Sequence, residues 1–93
     1  MVKKVIWFPR AKDRYKRIID FLLIEWGETA AVKFIEQVDQ KLYLLARFPN
    51  LGIASVAKPN LRSLLLTKHN RLVYPVNEKE IHLHEIDDTR QAQ

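Results

Sequence analysis

Cysteine is absent from the 93 residues. Its absence excludes disulfides and thiolate chemistry and removes the ligand on which most structural zinc sites rely. No apolar run approaches the roughly 20 residues that cross a bilayer. Nor does a basic segment followed by an apolar one stand at the amino end as a leader, so the expected location is the cytoplasm. Acidic residues are also scarce: 11 Asp and Glu face 16 Lys and Arg, for a net charge of +5 and a pI near 9.7. That balance favours an anionic partner, whether nucleic acid, a ribosome or an acidic protein, although plain solubility would use it equally well. What remains is an ordinary globular composition, 47% hydrophobic and 29% charged. The length matches one domain over residues 1–93 with one modest core.

Read in order, residues 2–7 form a strand, with Lys3 and Lys4 resisting unwanted edge pairing. Pro9 fits a first helical turn. Beyond it, Ala11, Tyr15, Ile18, Ile19, Leu22 and Trp26 fall on one helical stripe, opposite a mostly basic face that includes Arg10, Arg14 and Arg17. Gly27 supplies the stop. Thr29 is the expected N-cap of a second helix, whose stripe is Ala31, Phe34, Ile35, Val38, Leu42, Leu45 and Ala46, closed by Phe48-Pro49. So short a connection gives an antiparallel hairpin. Residues 50–60 read as a loop that places Lys58 beside the carboxy-terminal third.

Residues 61–91 hold three runs of β-formers separated by His69-Asn70 and by 77–80, the pattern of an antiparallel meander. With His69-Asn70 as a two-residue turn, Leu66 faces Val73 and Leu64 faces Pro75. Alternation then puts Leu61, Ser63, Leu65, Thr67, Leu72, Tyr74 and Val76 on the core face. The opposite face carries Arg62, Leu64, Leu66, Lys68, Arg71, Val73 and Pro75, and His82 and His84 share it. The hairpin covers one face, leaving an apolar floor with a cationic rim for a partner. The expected fold is α+β, in the order β-α-α-β-β-β, with the antiparallel sheet under the amino-terminal hairpin.

The run Asn70-Arg71-Leu72-Val73-Tyr74-Pro75-Val76, preceded by Lys58-Pro59-Asn60-Leu61-Arg62 and followed by Asp88-Thr89-Arg90-Gln91, resembles the RelE/ParE superfamily of bacterial toxins. Ile6-Trp7-Phe8-Pro9-Arg10-Ala11, Glu25-Trp26-Gly27 and Phe48-Pro49-Asn50-Leu51-Gly52 agree in order and spacing, so the resemblance runs from about Val5 to Gln91. It implies the same fold, with the first strand paired beside the later ones. It also implies the toxin half of a type II toxin–antitoxin (plasmid stabilisation) module that inhibits growth. A cognate antitoxin would neutralise the toxin in a hetero-oligomer, and no cofactor, metal or membrane is needed. The target is either mRNA on the ribosome, which a RelE-like member cleaves, or DNA gyrase, which a ParE-like member poisons by binding. A catalytically inactive homologue that binds protein or nucleic acid is the remaining alternative.

For a nuclease, the resemblance makes Arg71 the residue that neutralises the scissile phosphate. Arg62 assists from the same expected face, and Arg90 stands near the family's carboxy-terminal catalytic position. Lys58, Lys68, His82 and His84 are the substrate-binding candidates; Leu64, Leu66 and Val73 are those for the antitoxin. The departures are equally specific. No carboxylate occurs in residues 51–60, where some nuclease members carry a glutamate, and residues 88–91 hold no His-Tyr pair. The two histidines could supply an acid or base, or simply pack on a partly exposed strand. Arg62 and Arg71 have a structural alternative in pairing with Glu85, Asp87 or Asp88, and Tyr74 reads as packing.

Overall fold

Pro9 opens the first helix after an extended Phe8, where its fixed φ and missing N–H are harmless. The computed structural model describes residues 2–76 and 79–90. In order these form β1 (Lys4–Trp7), α1 (Pro9–Glu25), α2 (Glu28–Arg47), β2 (Ile53–Ala54), β3 (Leu61–Thr67), β4 (Asn70–Pro75), β5 (Glu80–Leu83) and β6 (Glu85–Asp88). The expected break at 77–80 and the motif residue Gln91 lie partly or wholly outside the described residues.

One glycine joins the helices. Trp26 and Gly27 both donate their backbone N–H to Leu22 O at the end of α1. Gly27 has φ +91°, the only positive φ among the described residues, and occupies the N-cap position of α2. Thr29, expected as that cap, lies inside the helix, and Glu28 places a carboxylate at its positive end.

The four-stranded sheet has the order β2-β3-β4-β6 and is antiparallel throughout, while β1 pairs with β5 in parallel. Only His84 separates β5 from β6, and its N–H donates to Val73 O at 3.1 Å, carrying the β4 ladder on towards β5. The third run of the meander is thus two strands, and the expected loop contains the short edge strand β2.

The β3–β4 turn differs from expectation in a way that matters. Thr67 pairs with Asn70, so Lys68-His69 makes the turn, and a bulge lies between Leu65 and Thr67. Side chains fix this choice: Thr67 Oγ1 accepts from His69 N at 3.2 Å and bonds Asn70 Oδ1 at 2.8 Å. The remaining register sets Leu64 opposite Leu72, Arg62 opposite Tyr74 and Leu65 opposite Arg71. Moving the turn by one residue shifts the pairing by two and keeps the facing, whereas the extra residue of the bulge makes the offset odd and turns residues 61–66 over, leaving Thr67 on the helix side with Asn70. Arg62 and Leu64 therefore face the helices, and Leu66 is 2% exposed. Leu61, Ser63 and Leu65 share the outer face with Arg71, Val73 and Pro75.

The helical hairpin covers the inner face. Ala11, Phe34, Val38 and Leu45 meet Leu66, Leu72, Tyr74, Ile81, Leu83 and Ile86 in one core, flanked by Val5, Trp7, Tyr15 and Leu64. Each large aliphatic side chain fully buried here contributes about 1.5–3 kcal/mol. Trp26, placed on the core stripe by its spacing, is instead 72% exposed. Among the described residues no helix is long and apolar enough to cross a membrane.

Candidate functional site

The motif residues Pro49, Asn50 and Gly52 acquire a physical meaning where the chain after α2 meets the sheet. The Tyr74 hydroxyl donates to Pro49 O at 2.8 Å and accepts from Gly52 N at 2.9 Å. Beside it, Arg62 Nη1 donates to Gly52 O at 2.7 Å and to Asn50 O at 3.4 Å. Burial raises the Tyr74 phenol above its ordinary pKa, against the lowering pull of the Gly52 hydrogen bond and the Arg62 charge. Arg62, a catalytic candidate by sequence, is thus a clamp on the loop after α2, on the helix side of the sheet.

Arg71 lies on the outer face between Leu65 on β3 and Asp87 on β6. Among the described residues its guanidinium takes part in no ion pair, in contrast to Arg10, Arg17 and Arg90. The suggested pairing of Arg71 with Asp87 or Asp88 is therefore not made, and Glu85 is taken by Arg10 at 3.2 Å. The face is apolar on the β3 side of Arg71, where Leu65 is 51% exposed and Ile53 on the edge strand is 78% exposed, and acidic on the β6 side, where Asp87 lies opposite Arg71 and Glu85 opposite Val73. Of the antitoxin candidates, Val73 lies here, whereas Leu64 and Leu66 face the helices. Leu65 and Ile53 take their place. Sequence reasoning missed both because it had no bulge between Leu65 and Thr67 and read β2 as loop.

Towards β1 the outer face ends in a ring stack. Phe8 lies against His82 and His84, with centroids 4.8 and 4.7 Å away. His82 Nε2 also meets Glu80 Oε1 at 3.0 Å. Both histidines are thereby held as packing groups, His82 on β5 and His84 between β5 and β6, and among the described residues no hydrogen bond ties either ring to Arg71. Among the described residues no three His, Asp or Glu side chains are grouped to hold a metal ion.

The third catalytic candidate, Arg90, grips Asp88 through Nε at 3.0 Å and Nη2 at 2.9 Å, while its backbone N–H reaches Asp88 Oδ1 at 2.8 Å. These hydrogen bonds hold the Asp88 carboxyl at about 2. Lys68 sits exposed in the β3–β4 turn, and Lys58 in the exposed loop before β3, its N–H bonded to Ser55 Oγ. The three arginines do not converge. Arg71 is on the outer face, Arg62 under the loop clamp, and Arg90 at the turn end beside the helices. Among the described residues, the outer face sets Arg71 beside Asp87 and brings in neither of the other two arginines.

A family model described as the ParE toxin of the type II toxin–antitoxin system parDE matches residues 5–93. The chain belongs to that family, within the RelE/ParE superfamily. Solved structures agree on the fold. A chain of the chromosomal ParDE system of P. aeruginosa is 22% identical with a TM-score of 0.76, covering 94% of this chain and 96% of that one. The YoeB dimer from Staphylococcus aureus follows at 17% identity and a TM-score of 0.65, covering 94% and 97%. The YoeB/ParE toxin from Agrobacterium tumefaciens has 16% identity and a TM-score of 0.63, covering 91% and 96%. No protein of curated function matches the chain.

Proposed function

We propose that this chain is a growth-inhibiting toxin that acts in the cytoplasm by binding, on the gyrase side of its superfamily, and is neutralised by a cognate antitoxin laid over the outer sheet face. The observation that carries this reading is the separation of the three candidate arginines. Arg62 and Arg90 are committed to the loop carbonyls and to Asp88, and Arg71 has Asp87 opposite it but neither of the other two arginines on its face. Metal-independent RNA cleavage needs both proton transfers and charge stabilisation at one phosphate. Exposed Ile53 and Leu65, with half-buried Val73, next to an arginine that makes no ion pair among the described residues, suit a largely apolar segment better.

A ribosome-dependent nuclease is the second reading, favoured by the uncommitted Arg71 guanidinium. Purified protein is assayed for gyrase supercoiling and, in parallel, for cuts in ribosome-bound mRNA. Gyrase inhibition without cuts is expected, with Arg71→Ala retaining partial toxicity. If mRNA is cut, and Arg71→Ala lowers the rate by the ~100- to 1000-fold typical of a lost transition-state donor, the nuclease reading replaces this one. Neither activity from folded protein would leave a binding homologue.

A further inference from the structure

On the solvent side of the helical layer, the end of α2 carries an exposed surface of aromatic rings and charge. Gln40, Tyr43, Leu44 and Arg47 share one contiguous arc of the last two turns, opposite the buried Val38 and Leu45, and Phe48 caps it. Tyr43 is 58% exposed and Phe48 59%. Arg47 Cζ stands 3.7 Å from the centroid of the Tyr43 ring, and its Nη1 donates to Tyr43 O at 3.2 Å. The cation is thereby fixed against a ring rather than against a carboxylate. Leu51, itself exposed, donates its N–H to Phe48 O at 2.9 Å and so folds back towards the cap. From Gln40 to Val76 the sequence holds six Lys and Arg and no Asp or Glu, so an anion arriving here meets little repulsion. On α2 the nearest carboxylates are Asp39, whose charge acts on Tyr15 of α1, and Glu36, about two turns before Tyr43. Nor does the helix end in bare carbonyls that would repel a phosphate. Leu44 O accepts from Phe48 N and Ala46 O from Lys3 N, both at 2.8 Å, and Tyr43 O is taken by Arg47.

Rings left in water beside a fixed guanidinium suit a ligand that alternates flat apolar faces with negative charge. Single-stranded nucleic acid does so, since each base offers a π face and each linkage a phosphate. A duplex keeps its bases stacked inside and would meet only the cations. An apolar protein surface would cover Tyr43 and Phe48 but would strip Arg47 of water without giving it an anion. Among single strands, the exposed Leu44 and Leu51 suit the methyl group of thymine, which uracil lacks. Deoxyribose also brings no 2′-hydroxyl to desolvate on that apolar border. We propose that the surface of Tyr43, Arg47 and Phe48 binds single-stranded DNA. One base stacks on Phe48, the next on the Arg47–Tyr43 pair, and Arg47 holds the phosphate between them. The site is separate from the outer sheet face and does not depend on the toxin–antitoxin reading.

The probe is fluorescein-labelled oligothymidylate, titrated with the full chain at low and at physiological salt while anisotropy is followed. Saturable binding is expected, and it should survive the rise in salt because stacking carries much of it. Phe48→Ala and Tyr43→Ala should each weaken binding about tenfold or more. Tyr43→Phe keeps the ring and should bind as wild type does. Arg47→Lys keeps the charge without the plane, so its affinity should fall between those of wild type and Tyr43→Ala. All are exposed positions, and an unchanged melt confirms that the variants fold. No saturable binding, wild-type affinity in Phe48→Ala and Tyr43→Ala, or oligouridylate bound as tightly as oligothymidylate would overturn the proposal. Inorganic polyphosphate that displaces the probe as well as unlabelled oligothymidylate does, at equal phosphate, would reduce the site to charge alone and overturn it too. If Arg47→Lys lowers the melt and leaves affinity unchanged, Arg47 only closes α2 and the proposal falls.

Discussion

Tyr74 and Gly52, 22 residues apart in the chain, are joined by a 2.9 Å hydrogen bond from the glycine N–H to the tyrosine hydroxyl. A Cβ on residue 52 would come within 2.7 Å of that hydroxyl and 2.7 Å of Ser63 O. Only glycine fits so close an approach. Removing the hydroxyl by Tyr74→Phe strips partners from Gly52 N and Pro49 O, and the expected loss is about 1–3 kcal/mol. Gly52→Ala should destabilise by a comparable ~1–3 kcal/mol through overpacking. Urea melts of both variants check this; wild-type midpoints would mean that the loop is not held through this contact.

The same phenol links stability to alkaline pH. Its folded pKa is raised above the ordinary 10.0. The stabilisation is therefore full below that value and is lost as pH rises through the folded pKa. Tyr74→Phe should flatten the alkaline fall in melting temperature relative to wild type. Parallel curves for the two proteins would contradict the assignment.

At the acid end the sign reverses. The Asp88 carboxyl is held at about 2 against an ordinary 3.8, chiefly by the Arg90 hydrogen bonds. Its contribution is present above 3.8 and fades as pH falls through about 2. Asp88→Asn should remove part of the wild-type slope of stability against pH in that window and leave the neutral region parallel. An unchanged acid slope would show that the fork carries no such linkage.

The flipped β3 separates two neighbouring leucines. Leu66→Asp puts a carboxylate into the core at a 2% exposed position and should unfold the isolated protein. Leu65→Asp changes a side chain that is 51% exposed, so it should leave the melt intact and weaken antitoxin capture on the outer face. Circular dichroism melts with a partner pull-down distinguish the two; a folded Leu66→Asp would restore the opposite facing of the strand.

Helical periodicity made both helices legible, since Ala11, Phe34, Val38 and Leu45 recur at the spacing that buries them. The covered side of β4 was equally readable from Leu72 and Tyr74. The facing of β3 was not. Alternation fixes which residues share a side but not which side it is, and that depended on the bulge between Leu65 and Thr67, which no residue pattern announces. Thr67 and Asn70, whose side chains bond across the Lys68-His69 turn, were a signal for the turn alone. Arg71 was placed correctly on the outer face. Arg62 was not, because its clamp on residues 50 and 52 is a tertiary contact that no local pattern encodes. Trp26 was hidden for the opposite reason: its apolar character reads as core, and only the packed hairpin leaves it in solvent.

The parallel ladder between β1 and β5 joins Lys4 to Glu80 and Trp7 to Leu83, nearly the two ends of the molecule. Contacts so distant along the chain form late, because the whole intervening length must first be brought back on itself. During synthesis, Val5 and Trp7 emerge early but have no strand to join until residues 80–83 have left the ribosome. A nascent chain is consequently kept from its finished shape by the order of translation itself.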